Sequence, residues 1–254
     1  AGFNLSASGQ QTWSVATGRT LTLASLQRTT SGGIGNLNVG AALTLPATGG
    51  TTKVGAVAIP VFADGQGNAF VTYGLDNWAG TDATGTVVGC TNIAWNASIG
   101  TAFQGPSVIT GSFTQSGNGG ASSILFNDPV TAHTLTLSSS TTFTGRGVMV
   151  ASNSVGGTIT GGSFRPNRSA SGAGGNSPMN FVQNSLLGDL RISNISNASS
   201  STTVSLVKSG VGKMILTGAT FHTGGTFING GTLQVGEGGA TGTIQNTSNV
   251  VIQS

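Results

Sequence analysis

Short segments in which polar and aliphatic residues alternate recur throughout this chain of 254 residues, and Gly, Ser or Asn bounds each of them. We find no convincing run of apolar residues at positions i, i+3, i+4 and i+7, the spacing that indicates an amphipathic helix. The pattern predicts an all-β protein with short strands and frequent turns. An antiparallel sandwich, a barrel and a parallel β-solenoid all fit it, and internal repetition is the feature that separates them. The clearest segments are 21–23, 135–137, 204–207, 214–216 and 232–235.

One phrase recurs: an aliphatic residue, Thr and Gly, then a hydroxyl residue and Phe, at residues 109–113, 159–164 and 216–221. The starting positions are 50 and 57 residues apart. A coil of a parallel β-helix takes about 20 to 29 residues, so each interval corresponds to about two coils. We therefore expect the phrase to return to the same side of a solenoid. Its aliphatic residue and Phe should point inward, and its Gly should form a corner between two sheets.

The scarcity of charge agrees with a parallel stack, since charged residues make up only 6% of the chain. Like residues on neighbouring coils lie above one another, so repeated charges would repel, whereas Ser, Thr and Asn ladders share hydrogen bonds. The net charge of +3 is spread over the whole chain, and Arg165 and Arg168 form the only basic pair. We therefore expect no nucleic-acid partner.

The most specific pattern lies near the C-terminus, where residues 206–218 read LVKSGVGKMILTG and residues 223–236 read TGGTFINGGTLQVG. This stretch resembles the autotransporter-associated β-strand repeat of passenger domains in bacterial surface proteins. The family pattern runs L-x-K-x-G-x-G-x-L-x-L-x-G, then T-G-G-T-x-x-x-x-G-T-L-x-x-G. Residues 206–236 form the best-matching repeat, although Met214 stands where Leu or Thr is usual. The repeat-defining positions are Gly210, Gly212, Leu216, Gly218, Gly224, Gly225, Gly231, Leu233 and Gly236.

The resemblance implies a right-handed parallel β-helix that is secreted or displayed on a bacterial cell surface. We predict a single β-solenoid domain over residues 1–254. Residues 55–95 depart from the repeat and predict an excursion or a hairpin lying on the solenoid, with residues 64–68 as its turn. Residues 164–179 are rich in Ser, Gly and Ala and predict an exposed insertion.

The excursion collects aromatic residues, among them Phe62, Phe70, Tyr73 and Trp78. If they are exposed, they form an apolar patch of the kind that binds a glycan or another cell-surface ligand. Covering the side or end of the solenoid explains them equally well.

Catalytic residues are harder to assign. Asp76 and Asp82 flank Trp78, so a glycosidase-like carboxylate pair beside a sugar-stacking ring is conceivable, but solvated loop acids are the better interpretation. A Ser-His-Asp arrangement could use His133 with Asp128, or it could use His222. Because Ser is abundant in this chain, a Ser near a His is expected by chance, and we favour surface or turn histidines. We assign no catalytic residue and expect that the protein is not an enzyme.

No metal or cofactor site is predicted either. Residues 32–39 come close to a calcium-binding β-roll motif, but Leu37 stands where the ligand Asp is required. Cys90 is the only cysteine, which excludes a disulfide within the chain, and we predict that it is a buried apolar residue. Asp128, which precedes Pro129, is interpreted as a turn opener.

These observations favour a non-catalytic extracellular β-solenoid, as a surface stalk, an adhesin or a fibre-forming subunit. Residues 247–254 read as a strand rather than a charged cap, so we expect further sequence or another subunit to stack on it by β-augmentation. No apolar stretch approaches 18 residues, so we expect no membrane-spanning helix. The alternatives are a carbohydrate- or host-binding adhesin module and a polysaccharide-degrading β-helix enzyme.

Overall fold

The computed structural model describes residues 2–3, 10–23, 25–26, 42–45, 47–54, 71–95, 103–145, 147–166, 176–197, 203–244 and 249–253. In these ranges the chain forms strands and turns, and it has no helix that could span a membrane. The calcium-like motif at 32–39, Phe62, Phe70 and the predicted turn at 64–68 lie outside the described residues.

Seventeen strands form one parallel sheet that winds around a core. Eight of them stack on its first face: β10 (Ile93–Ala94), β11 (Phe103–Ile109), β13 (Gly119–Phe126), β15 (Gly147–Val150), β17 (Asn176–Gln183), β20 (Thr203–Ser209), β23 (Thr226–Ile228) and β26 (Val250–Ile252). The second face contains β12 (Phe113–Gln115), the first parts of β14 (His133–Gly145) and β16 (Gly157–Pro166), β18 (Leu190–Ile192), β21 (Lys213–Leu216) and β24 (Thr232–Val235). The third face contains the second parts of β14 and β16, then β19 (Ile195–Ser196), β22 (Ala219–Phe221) and β25 (Thr243–Ile244). The predicted parallel β-helix is confirmed.

Aliphatic and aromatic side chains fill the inside of this solenoid in vertical columns. Ile124 pairs in register with Val148, and Val148 pairs with Phe181, and all three are fully buried. An aromatic stack runs beside them, with ring centroids 5.1 Å apart for Trp95 and Phe143 and 5.8 Å apart for Phe143 and Phe164. Burying one such side chain contributes about 1.5 to 3 kcal/mol, so the columns are the main source of stability.

The recurring phrase only partly keeps its predicted position. Ile159 pairs with Ile192, which pairs with Leu216, so the second interval does span two coils on one column. The first interval is different, because Ile109 pairs with Phe126 on the first face. The expectation that the phrase returns to one side is therefore wrong for residues 109–113.

The inward position of the Phe also holds for only one of the later copies. Phe164 is fully buried, whereas Phe221 is 56% exposed. Phe164 pairs with Ile195, and Ile195 pairs with Thr220 rather than with Phe221. This slip of one residue turns Phe221 outward, because successive side chains of a strand point to opposite faces.

The N-terminal strands form separate parallel ladders: β1 (Gly2–Phe3) pairs with β4 (Ser25–Leu26), β2 (Gln10–Thr12) with β5 (Ala42–Leu45), and β3 (Thr20–Leu23) with β6 (Thr51–Val54). One side-chain contact links them to the far end of the chain, since the Gly210 amide donates to Gln10 Oε1 at 3.0 Å. The single-domain prediction stays a prediction.

Residues 71–89 form an antiparallel unit, which we call the side hairpin: β7 (Val71–Tyr73), β8 (Asn77–Thr81) and β9 (Val87–Gly89). It falls within the predicted excursion, with its first turn at residues 74–76. β7 also pairs with β5 in parallel, so the side hairpin extends the N-terminal ladder.

The bounds of the predicted exposed insertion at 164–179 are wrong. Phe164 lies near the end of β16 and Met179 lies in β17, and both side chains are fully buried. Residues 167–175 lie outside the described residues. The predicted insertion was therefore too long, because it included a buried core residue at each end of the Ser- and Gly-rich segment.

Candidate functional site

Trp78 joins the side hairpin to the solenoid. Its indole Nε1 donates to the backbone oxygen of Ile124 at 3.1 Å, and its side chain is fully buried. It packs in a small apolar cluster with Cys90, which follows the side hairpin directly, and with Leu125, Met149 and Val182 of the solenoid. These three solenoid residues lie in register on the first face and point outward, so the side hairpin covers an apolar strip that would otherwise meet water.

The burial of Trp78 bears on whether the aromatic residues of the excursion form an exposed binding patch. Trp78 has no exposed surface and cannot belong to a partner-binding patch, so for this residue the covering interpretation is correct. Tyr73 is half-buried and still lines a surface groove. Phe62 and Phe70 lie outside the described residues.

Asp76 and Asp82 both serve the local structure. Asp76 Oδ1 accepts hydrogen bonds from the backbone amide and the hydroxyl of Ser152, at 2.8 and 2.6 Å. Asp82 Oδ1 accepts from the amides of Thr84 and Thr86, at 2.8 and 3.0 Å. The two acids stand at opposite ends of β8, about 20 Å apart along an extended strand, whereas a glycosidase pair needs about 5 to 9.5 Å.

The other described acids also have protein partners. Asp128 Oδ1 accepts the amides of Val130 and Thr131, which confirms the predicted turn opener. These amides, with the Thr131 bond as the larger effect, hold the pKa of Asp128 below its usual value. Asp189 and Glu237 both bind Arg191, with contacts of 3.2 and 2.7 Å on the exposed surface.

The prediction of surface or turn histidines is wrong about the surface for both residues, although His222 does lie in the connection between β22 and β23. His133 is buried and its Nε2 lies 2.8 Å from Asp128 Oδ2. His222 is fully buried beside Thr226, with Nε2 2.8 Å from Oγ1, and burial lowers its pKa to about 4. Both imidazoles have a hydrogen-bond partner, and a neutral imidazole with such a partner is tolerated in a buried position.

Cys90 is buried, as predicted, and burial raises the pKa of its thiol to about 12. Nucleophilic cysteines need a lowered pKa, so this thiol is a packing residue beneath the side hairpin.

Lys208 is the most unusual side chain of the C-terminal repeat, and sequence reasoning missed it. It stands in register between Phe181 and Ile228, and its side chain is fully buried. Its Nζ donates to the backbone oxygens of Ser209, Gly210 and Gly230, at 3.0, 2.8 and 2.9 Å. Burial lowers the pKa of Lys208 to about 7. The ammonium thus binds the carbonyl groups of two successive corners together.

The corner also requires glycine at position 210, for reasons that do not involve Lys208. Gly210 has φ of +80°, a left-handed conformation that L residues with side chains rarely adopt. The backbone oxygen of Gln183 on the preceding coil also fills the space that a Cβ would need. Both constraints explain why the repeat pattern requires glycine here.

A groove lies between the side hairpin and the N-terminal ladder, with a volume of about 250 Å³. We call it the hairpin groove. Leu45 and Val87 are buried at its base, while Thr51, Thr52 and Tyr73 are half-buried. It is the candidate ligand site with the clearest chemical character among the described residues.

Fold and corner chemistry together define a parallel β-solenoid built from stacked coils. Residues 206–235 match the family model of the passenger-associated-transport-repeat, which confirms the resemblance seen in the sequence. The matched residues begin in β20 and end in β24, and so include the Lys208 corner. No curated protein and no solved structure matches this chain.

Proposed function

We propose that this protein is a non-catalytic, extracellular structural solenoid of a bacterial cell surface, which assembles end to end with a further coil. The observation that carries this proposal is the exposure of a core column at its last described strand. Ile252 lies in register above Ile228, in the column that contains Phe181, yet its side chain is 78% exposed. An inward position that no described residue covers offers an apolar surface on which another coil can stack.

The strand edge supports the same proposal. Among the described residues β26 pairs with β23 alone, so its other edge offers free backbone groups. A strand of the same long chain or of a second copy would add there by β-augmentation. Contacts of this head-to-tail type generate filaments when the rotation between successive copies does not close into a ring, as when coils stack along one axis.

The partners of the acids support a non-catalytic role. The described carboxylates bind turn amides, Ser152, His133, Arg191 or Lys213, and each of these contacts has a structural purpose. The passenger-associated repeat supports the extracellular surface location, because passenger domains are the exported parts of their proteins. A stalk or fibre role suits this chain better than hydrolysis of polysaccharides.

Sedimentation velocity of the purified chain tests the assembly. We expect species that grow with concentration, and we expect Ile252→Asp to abolish them, because a buried unpaired carboxylate would be costly at the stacked junction. Val130→Asp is the matched control, since Val130 is 83% exposed at a corner in the middle of the solenoid. A chain that stays monomeric at all concentrations, or equal loss in both variants, would contradict end-to-end assembly between copies.

A further inference from the structure

The hairpin groove has two rigid walls. On one side the amides of Gly50 and Thr51 donate to the backbone oxygens of Val15 and Arg19, at 2.6 and 2.9 Å. On the other side the Gly74 amide donates to the Leu45 oxygen at 2.7 Å. Backbone hydrogen bonds between neighbouring coils therefore hold the groove in one shape. A preformed site loses less conformational entropy on binding than a flexible one.

The lining of the groove combines three kinds of group. Tyr73 supplies an aromatic ring, Thr51 and Thr52 supply hydroxyl groups, and Leu45 and Val87 supply an aliphatic base. The part of the lining that the structure describes contains no Asp, Glu, Lys, Arg or His. An ionic ligand would lose its hydration there without gaining a counter-charge, so the groove favours an uncharged molecule.

Sugars match this combination. A pyranose ring has apolar C–H faces that pack on an aromatic ring, and its hydroxyl groups exchange hydrogen bonds with threonine and tyrosine hydroxyls. The volume of about 250 Å³ lies just below the roughly 300 to 1,000 Å³ of drug-sized ligand sites, so one sugar ring fits better than a longer ligand.

We propose that the hairpin groove binds one ring of a neutral saccharide, with Tyr73 as the stacking platform. This function goes beyond the structural role and is independent of it, since no described lining residue of the groove belongs to β26. The solenoid would then carry a glycan-binding site on its side.

The chain offers a direct probe because Tyr73 is its only tyrosine. Protein labelled with ¹³C-tyrosine gives one set of tyrosine signals, which can be titrated with methyl α-glucoside, methyl β-galactoside, methyl α-mannoside and N-acetylglucosamine. At least one of these sugars should move the signals in a saturable way, with a low-millimolar dissociation constant typical of so small a ligand. Glucuronate, of similar size but charged, should bind at least about tenfold more weakly.

Variants followed by ligand-observed NMR locate the site. Tyr73→Ala should abolish binding, and Thr52→Val, which keeps the shape of the side chain, should weaken it several-fold. Phe221→Ala is the matched control, because this aromatic residue is exposed on β22, away from the groove, and its loss should change nothing. If Tyr73→Ala fails to fold, Thr52→Val alone decides.

Three results would overturn the proposal. The first is the absence of a tyrosine shift with all four sugars at about 50 mM, a concentration well above a low-millimolar dissociation constant. The second is stronger binding of glucuronate than of the neutral sugars, and the third is saccharide binding that Thr52→Val leaves unchanged. Sedimentation of the same samples separates this outcome from a failure of the structural role. Loss of saccharide binding would leave end-to-end assembly intact, and loss of assembly would leave the tyrosine shifts intact.

Discussion

Gly147 lies directly beneath the indole of Trp78, so that a Cβ at position 147 would stand 2.8 Å from Trp78 Cη2. The absence of a side chain in β15 thus lets the side hairpin reach the solenoid. A residue of the solenoid wall and a residue of the excursion, 69 positions apart in the sequence, form one joint.

Gly147→Ala should therefore push the side hairpin away and lower the free energy of unfolding by about 1 to 3 kcal/mol, the usual cost of overpacking. Gly105→Ala is the matched control, since a Cβ there meets nothing within 4 Å. Chemical denaturation of both variants checks the prediction, and equal stabilities would contradict the joint.

The carboxylate of Asp76 should hold the same joint closed through Ser152. Asp76→Ala should loosen the side hairpin and speed the reaction of Cys90 with a thiol reagent, because the buried thiol becomes accessible. Asp189→Ala, which removes an acid from the surface ion pairs of the solenoid, should leave the labelling rate unchanged. An equal rate in the Asp76 variant and the wild type would show that this contact does not anchor the side hairpin.

Lys208 should make the stability of the protein depend on pH in the alkaline range. Its pKa is lowered from the ordinary 10.5 to about 7 in the folded protein, so the unfolded chain binds more protons between these pH values. The free energy of unfolding should rise with pH across this window, on the order of 2 to 4 kcal/mol in total. Lys208→Met should remove this rise, as measured by urea denaturation from neutral to alkaline pH.

The matched control is Lys213→Met, because Lys213 is partly exposed and pairs with Asp189 at the surface. That variant should keep the alkaline rise. If both lysine variants show the wild-type profile, the corner ammonium is not the titrating group.

His222 should make the stability of the protein depend on pH in the acid range. Burial lowers its pKa from the ordinary 6.5 to about 4 in the folded protein, so folding favours the neutral imidazole. The free energy of unfolding should fall as pH drops from about 6.5 to 4, by about 2 to 3 kcal/mol. His222→Gln should remove that component of the acid dependence. Denaturation curves with the same acid slope in both proteins would contradict it.

The solenoid could be predicted from the sequence because successive coils repeat a similar pattern of residues. The glycines and aliphatic residues of 206–236 recur at fixed spacing, so the pattern carries the fold directly. The buried state of Cys90 was also predictable, since Val87, Val88 and Gly89 precede it.

Other features could not be derived because they depend on register between distant strands. Phe221 differs from Phe164 by a slip of one residue that no local pattern shows. The burial of Trp78 requires a contact with Ile124 and Gly147, which only the folded chain brings together. For Lys208 one signal existed, a lone lysine between aliphatic residues and the corner glycine of the repeat, but its carbonyl partners come from two coils.

The central claim is that the coils of the solenoid stack along one axis and that this stack continues through an assembled rod. Fibre diffraction from oriented assemblies of the purified chain measures this stacking directly. We predict a strong reflection at about 4.7 to 4.9 Å parallel to the rod axis, the spacing of neighbouring strands. Isolated particles that form no rods, or rods with this reflection perpendicular to their axis, would contradict the end-to-end solenoid.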